Sequence, residues 1–267
     1  MLIDTSAGTV AVRTTGGGPA IVLLHANGSD HHDFDAVAPT LAASWTVHEV
    51  DWPGHGDSGP ALDPGACSFA AALPTVLDAL GGGPFVLLGN SIGGFAAIRT
   101  AARRPDLVAA LVLVDPGGFT RHWAGMTMVC RVLGSRAVAP HAMRWLPRLT
   151  LRTRTAWTAA AVERAAVAAD DPDRVAVFAA LWCSFAAPCH DATVDAPEVH
   201  APALVVWGTR DPVLPWRTDG RSALRSLPGA RSVTLRCGHQ AHLEMPETFL
   251  NAVERFLRPT LDRLAAG

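Results

Sequence analysis

Three residues in this chain could together cut an acyl bond: Ser91, Asp211 and His239, in that order along the sequence. A serine hydroxyl is a poor nucleophile at neutral pH. It needs an imidazole within hydrogen-bond reach to take its proton, and that imidazole needs a carboxylate to fix its tautomer and stabilise its charged form. Ser91 lies in Phe85-Val-Leu-Leu-Gly-Asn-Ser-Ile-Gly-Gly94. Four apolar residues run to Gly89, and an Ala-rich run follows Gly94. The pattern predicts a buried strand, a tight turn with Ser91 at its apex, and a helix. Residues without bulk are needed on either side of such a turn, which is the G-x-S-x-G spacing of Gly89, Ser91 and Gly93. The helix N-terminus then points at whatever the serine attacks.

These residues need a scaffold that brings distant loops to one edge. Ala20-Ile-Val-Leu-Leu24, Trp45 to Asp51, Phe85 to Leu88, Leu107 to Val114, Ala203 to Trp207 and Arg231 to Arg236 read as strands. Several are continuous apolar runs, as expected for strands covered on both faces. Leu2 to Thr15 reads as two short strands, and helical patterns separate most of the rest. Ser68 is expected to cap a helix ending near Leu80, with Pro74 weakening its middle. Alternating strands and helices predict an α/β fold, a mostly parallel sheet with helices on both faces. The alternation lapses from 119 to about 200, where helical runs, four tryptophans and several methionines occur without a strand. That block is expected to be a helical insertion lying over the strands' carboxyl ends, where ligands bind in such sheets. The expected organisation is a core in two parts, 1–118 and 201–267, with a cap at 119–200.

Composition narrows the function classes. The chain has 267 residues, 49% hydrophobic and 17% charged, which suits a sizeable core. The formal net charge of -2 argues against nucleic acid as a partner. There is no lysine and no tyrosine, so all 22 basic residues are arginine. Schiff-base chemistry, a P-loop lysine and a tyrosine acid are excluded. No apolar run reaches the roughly 20 residues of a membrane span, and no signal peptide is visible at the N-terminus. The five cysteines, at 67, 130, 183, 189 and 237, contain no C-x-x-C. They read as reduced thiols in a cytoplasmic protein, with Cys183–Cys189 as the alternative pairing weighed.

Five motifs in order carry a resemblance: His25-Ala-Asn27, Asp51-Trp-Pro-Gly-His-Gly-Asp-Ser58, Gly89-Asn-Ser-Ile-Gly93, Gly208-Thr-Arg-Asp211-Pro and Gly238-His-Gln-Ala-His-Leu-Glu-Met-Pro-Glu247. Together they resemble the α/β-hydrolase superfamily over nearly the whole chain outside 119–200. The resemblance implies Ser91 as nucleophile, His239 as general base and acid, and Asp211 as orienting carboxylate. It implies an oxyanion hole from the backbone N–H groups of Asn27 and Ile92, each worth about 3 kcal/mol in the transition state. It implies no cofactor and no metal. Where the family usually has His-Gly, this chain has His25-Ala26.

Asp115, also at a strand end, is the rival for the acid. His25, His55 and Asp57 are expected to be structural, and His242 to pack near the last helix. His239 and His242 are too few for a zinc site without a third ligand. Between Asp115 and Glu163 there is no acid but seven arginines, Arg121, Arg131, Arg136, Arg144, Arg148, Arg152 and Arg154. They read as a solvated face, a carboxylate clamp for the substrate, or a basic lid at a membrane surface.

The expected activity is hydrolysis of a small to medium carboxylic ester with an apolar or aromatic acyl group, in a monomer or homodimer. The enzymatic alternative is a C–C bond hydrolase of the meta-cleavage-product type, which Gly-Asn-Ser resembles. Gln240, where those enzymes carry tryptophan, departs from it. Perhydrolase, lyase or biosynthetic tailoring chemistry uses similar triads, and a ligand receptor on this fold is the non-enzyme alternative.

Overall fold

A computed structural model describes residues 1–265. The strands are β1 (Leu2–Thr5), β2 (Gly8–Gly16), β3 (Ala20–Leu24), β4 (Thr46–Asp51), β5 (Phe85–Asn90), β6 (Val108–Val114), β7 (Ala203–Gly208) and β8 (Arg231–Leu235). They form one sheet in the order β1-β2-β4-β3-β5-β6-β7-β8. β1–β2 and β2–β4 pair antiparallel; every other pair is parallel. The chain runs outward from β3 to β4, then returns to lay β5 on the other side of β3. The loops after β3 and β5 therefore part at the reversal of strand order, where open α/β sheets bind ligands. Those loops carry Asn27 and Ser91.

Hydrophobic burial on both sheet faces explains the continuous apolar strands. Every residue of β3, β5, β6 and β7 is buried. α1 (Ala38–Leu41) covers one face, where Phe34, Trp45 and Phe249 pack against Ile21, Val47 and Val112. α2 (Ala66–Leu80) and α3 (Ile92–Arg103) cover the other, with Phe69, Leu73, Phe95 and Trp207 among the core residues. α2 starts three residues earlier than its sequence suggests. Its N-cap is Gly65, while the Ser68 hydroxyl donates to Asp63, 2.5 Å away, so Ser68 braces the preceding loop and does not cap the helix. Pro74 lies within α2.

Only helices and turns lie between β6 and β7: α4 (Ala124–Leu133), α5 (Ala139–Thr150), α6 (Ala156–Ala168), α7 (Pro172–Ser184), α8 (Ala192–Asp195) and a 3-10 turn. Cys130, Ala142, Met143, Phe178 and Trp182 give α4, α5 and α7 a small core of their own. α9 (Arg221–Ser226), α10 (Ala241–Glu244) and α11 (Pro246–Ala265) complete the chain. Among the described residues no helix is long and apolar enough to cross a membrane.

The thiol expectation is overturned. Cys67 in the first turn of α2 is disulfide-bonded to Cys189 in the loop before α8. Cys183, the other partner considered for Cys189, is an exposed free thiol on α7, turned towards the Gly134 carbonyl. Contacts that join α2, α3 and α8 bring Cys67 and Cys189 together across 122 residues, a pairing that sequence proximity does not reveal.

Candidate active site

β5 ends in the predicted turn. Ser91 has φ 54 and ψ -112, a conformation L-residues rarely adopt, and α3 begins at the next residue. The residues two positions before and after it must be glycine. A Cβ on Gly89 would run into the Gly93 backbone, and one on Gly93 into the Leu24 carbonyl. Strain of this kind costs about 1–3 kcal/mol and persists only where the surroundings impose it. Here Ser91 N–H donates to the Val114 carbonyl (3.1 Å) and Gly117 N–H to the Ser91 carbonyl (2.9 Å). Ile92 is the first residue of α3, so its N–H is among the first-turn donors without an intrahelical partner.

The loop after β8 brings His239 to the same place. Its Nδ1–H donates to Asp211 Oδ2 at 2.6 Å, which leaves Nε2 as the acceptor. Asp211 Oδ1 accepts from Val213 N–H (2.7 Å) and Leu214 N–H (3.1 Å), so both carboxylate oxygens are engaged. Burial pushes the His239 imidazole down, but the charge and hydrogen bond of Asp211, with Glu244 behind, outweigh it and leave the pKa raised. Ser91, Ile92, Asn27 and His239 line one cavity of about 800 Å³. The five predicted site residues thus gather at the sheet's carboxyl edge.

Asp115 is fully buried behind Asp211 with φ 40, its Oδ1 accepting from Gly208 N–H at 2.9 Å. Its Oδ2 has no partner among the described residues. Burial, then the charge of Asp211, raises its pKa well above the carboxylate range; Glu244 adds to this and the Gly208 N–H opposes it. Among the described residues, the imidazole bonds to Asp211 and not to Asp115.

Three further residues hold this geometry, and the sequence reading assigned them nothing. Asn90 is fully buried and its amide donates to the Val114 carbonyl and to the His239 carbonyl, both at 3.0 Å. One side chain thus ties the serine strand to the histidine loop. Thr150, at the end of α5, accepts from His239 N–H at 3.1 Å. Glu244 accepts from the N–H groups of Arg152 and Thr153 at 2.8 and 2.7 Å. A Gly-His followed five residues later by a buried-length acid is a weak signal for the last; the other two leave none.

His25 is structural as expected: Nδ1–H donates to the Ala26 carbonyl, 2.7 Å away, and Nε2 accepts from Trp52 N–H at 3.1 Å. This fixes the loop that carries Asn27, whose side chain donates to the Phe178 carbonyl of the insertion (3.3 Å). His55 accepts from Gly28 N–H at 3.3 Å. His242 is fully buried and stacked on Phe34, with neither ring nitrogen bonded among the described residues.

The insertion forms the cavity roof with Met126, Val129, Leu146, Phe178, Trp182 and Phe185. One polar corner remains. Arg164 meets Asp33 (2.9 Å) and Asp30 (3.4 Å), and the Gln240 amide donates to Asp33 at 2.7 Å. Burial raises the Asp33 pKa, with Arg164 opposing it. Of the seven arginines without intervening acid, only Arg152 lines the cavity. Two clusters could offer three metal ligand atoms, His31–Asp51–Asp57 and Asp115–Asp211–His239. Both are internally hydrogen-bonded: Asp51 accepts from His31 N–H and from its Nδ1–H, at 2.7 and 2.8 Å.

Residues 21–252 match the family model described as the alpha/beta hydrolase family. A pimeloyl-[acyl-carrier protein] methyl ester esterase of Neisseria meningitidis is 30% identical over 260 residues, covering 91% of this chain and 78% of the relative. A pyrrolizixenacetamide deacetylase of Xenorhabdus hominickii is 29% identical over 262 residues, covering 91% and 92%. A thermophilic esterase from Thermogutta terrifontis, solved with malate bound, superposes with a TM-score of 0.82 at 23% identity, covering 97% of this chain and 98% of that one. The chain belongs to the alpha/beta hydrolase family.

Proposed function

We propose that this hydrolase is a serine esterase that forms an acyl-enzyme on Ser91. The observation that carries the reading is the His239–Asp211 bond at the edge of the cavity that Ser91 shares. Ser91 Oγ attacks the ester carbonyl and passes its proton to His239 Nε2. The carbonyl electron pair moves onto oxygen, facing the N–H groups of Asn27 and Ile92. Collapse expels the alcohol, which takes the proton from His239. Water then attacks the acyl-enzyme with His239 as base, releasing the acid and restoring Ser91. Asp211 orients the imidazole and stabilises its charged form.

The apolar roof supports a small to medium apolar or aromatic acyl group. For a substrate carboxylate, Arg164 in the cavity is already paired with Asp30 and Asp33, which leaves Arg152 as the lining arginine without an ion pair among the described residues. We assign the cap to 119–200 and the core to 1–118 and 201–267. Cytoplasmic placement, expected from the cysteine pattern and the N-terminal sequence, conflicts with the Cys67–Cys189 bond, a kind of bond that is rare in a glutathione-buffered compartment. Alkylation of free thiols in intact cells, read by mass, decides between them. The function is tested with p-nitrophenyl esters from acetate to decanoate. The expected result is turnover that Ser91→Ala abolishes, peaking at the chain length that fills the cavity. Turnover that survives in Ser91→Ala rejects the assignment.

A further inference from the structure

The outer face of the insertion is built against the usual pattern. A surface helix normally turns charged or polar side chains to water. α4 instead exposes Met128, Val129 and Val132, although Cys130 on the same helix is buried. Trp123, at its N-cap, is 63% exposed and Met128 62%. α5, which touches α4, exposes Trp145 and Leu149 four residues apart, and Leu149 is 47% exposed. Between these apolar side chains stand Arg131, Arg136 and Arg148, all exposed. No acid occurs from 116 to 162. Among the described residues, Arg121, Arg131, Arg136, Arg148, Arg152 and Arg154 form no ion pair; Arg144 pairs with Asp170.

This face adjoins the cavity, since Val129 and Leu149 belong to both. Clustered exposed apolar side chains mark an interaction surface. Arginine and tryptophan around an apolar centre is the composition of an interfacial helix on anionic lipid. A second copy of this chain fits poorly, because a face-to-face dimer would set one acid-free arginine field against another.

We infer that the α4–α5 face docks on an anionic lipid surface and brings the cavity mouth against it. The apolar side chains enter the headgroup–acyl boundary, the arginines meet lipid phosphates, and an ester dissolved in the lipid reaches the cavity past Val129 and Leu149. Docking itself does not depend on Ser91, so its test is separate from that of the esterase reading.

The test is cosedimentation of the full chain with vesicles of phosphatidylcholine alone and of phosphatidylcholine with phosphatidylglycerol, at low and high salt. Binding is expected only with phosphatidylglycerol, and weaker at high salt. At about 1 kcal/mol per arginine near such a surface, Arg131→Ser/Arg136→Ser/Arg148→Ser should lose about 100-fold in partitioning. Met128→Ser/Val132→Ser/Leu149→Ser should lose at least about tenfold. These side chains are exposed, so both variants should fold, as their melting curves will report. No sedimentation with either vesicle, equal binding to both, or undiminished binding by the apolar triple variant would each overturn the docking. So would a concentration-dependent dimer that the apolar substitutions dissolve, or retention by poly-glutamate without vesicle binding, which would assign the face to a protein.

Discussion

His242→Leu should make the protein more resistant to acid. The native imidazole is fully buried, stacked 5.0 Å from Phe34, and neither nitrogen has a hydrogen-bond partner among the described residues. Burial, with His239 nearby, lowers its pKa from 6.5 to about 3. The folded value lies below the unfolded one, so the unfolded chain binds the proton first. Stability therefore falls as pH drops below 6.5, and this group stops contributing to the fall near pH 3. At pH 5 the cost is about 2 kcal/mol, since each unit below 6.5 is worth about 1.4 kcal/mol. His55 and His190, lowered to about 3 and about 4, act in the same direction. Leucine has a similar volume, breaks no hydrogen bond and removes one of the three terms. Urea unfolding of both proteins at pH 7.5, 6.0 and 5.0 reads the effect. The variant should be at least as stable at pH 7.5 and should lose about 2 kcal/mol less by pH 5. Parallel losses would refute the reasoning and mean that His242 is solvated or bonded in the native state.

Asp211→Asn should cut kcat by about four orders of magnitude, because the amide disturbs the His239 tautomer. The same substitution removes the charge that raises the His239 pKa, so the acid limb of the residual kcat/KM profile should move to lower pH. Asp115→Asn should keep kcat within about tenfold and leave that acid limb in place, because His239 bonds to Asp211 and burial favours the uncharged form of Asp115. A large loss with a shifted limb would mean that Asp115 carries charge. Reduction of Cys67–Cys189, which spans 122 residues, should lower unfolding stability by up to about 5 kcal/mol on the chain-entropy account, read by urea titration with and without dithiothreitol.

The sheet and its serine turn were legible because their causes are local. Apolar runs of strand length need burial on both faces, and Gly89 and Gly93 answer to backbone crowding next to Ser91. The choice of Asp211 over Asp115 rested on motif context, and the His239 bond to Asp211 agrees with it. What escaped is long-range. Asn90 and His239 are 149 residues apart, and Cys67 and Cys189 are 122 apart. Nothing in either neighbourhood specifies the other. The start of α2 at Ala66 shows the same limit on a small scale, since Gly65 takes the N-cap position and the Ser68 hydroxyl donates to Asp63. The cavity roof was expected only as a helical block, and Phe178, Trp182 and Arg164 took their places through packing between helices.

The central claim is that Ser91 carries the acyl group. Rapid mixing with p-nitrophenyl butyrate, acid quenching and peptide mass mapping would test it most directly. The account predicts a 70 Da butyryl increment, about the acyl mass less one proton on general acyl-transfer stoichiometry, on the peptide containing Ser91 and on no other. Turnover with no adduct on that peptide, or with the adduct on another residue, would contradict it.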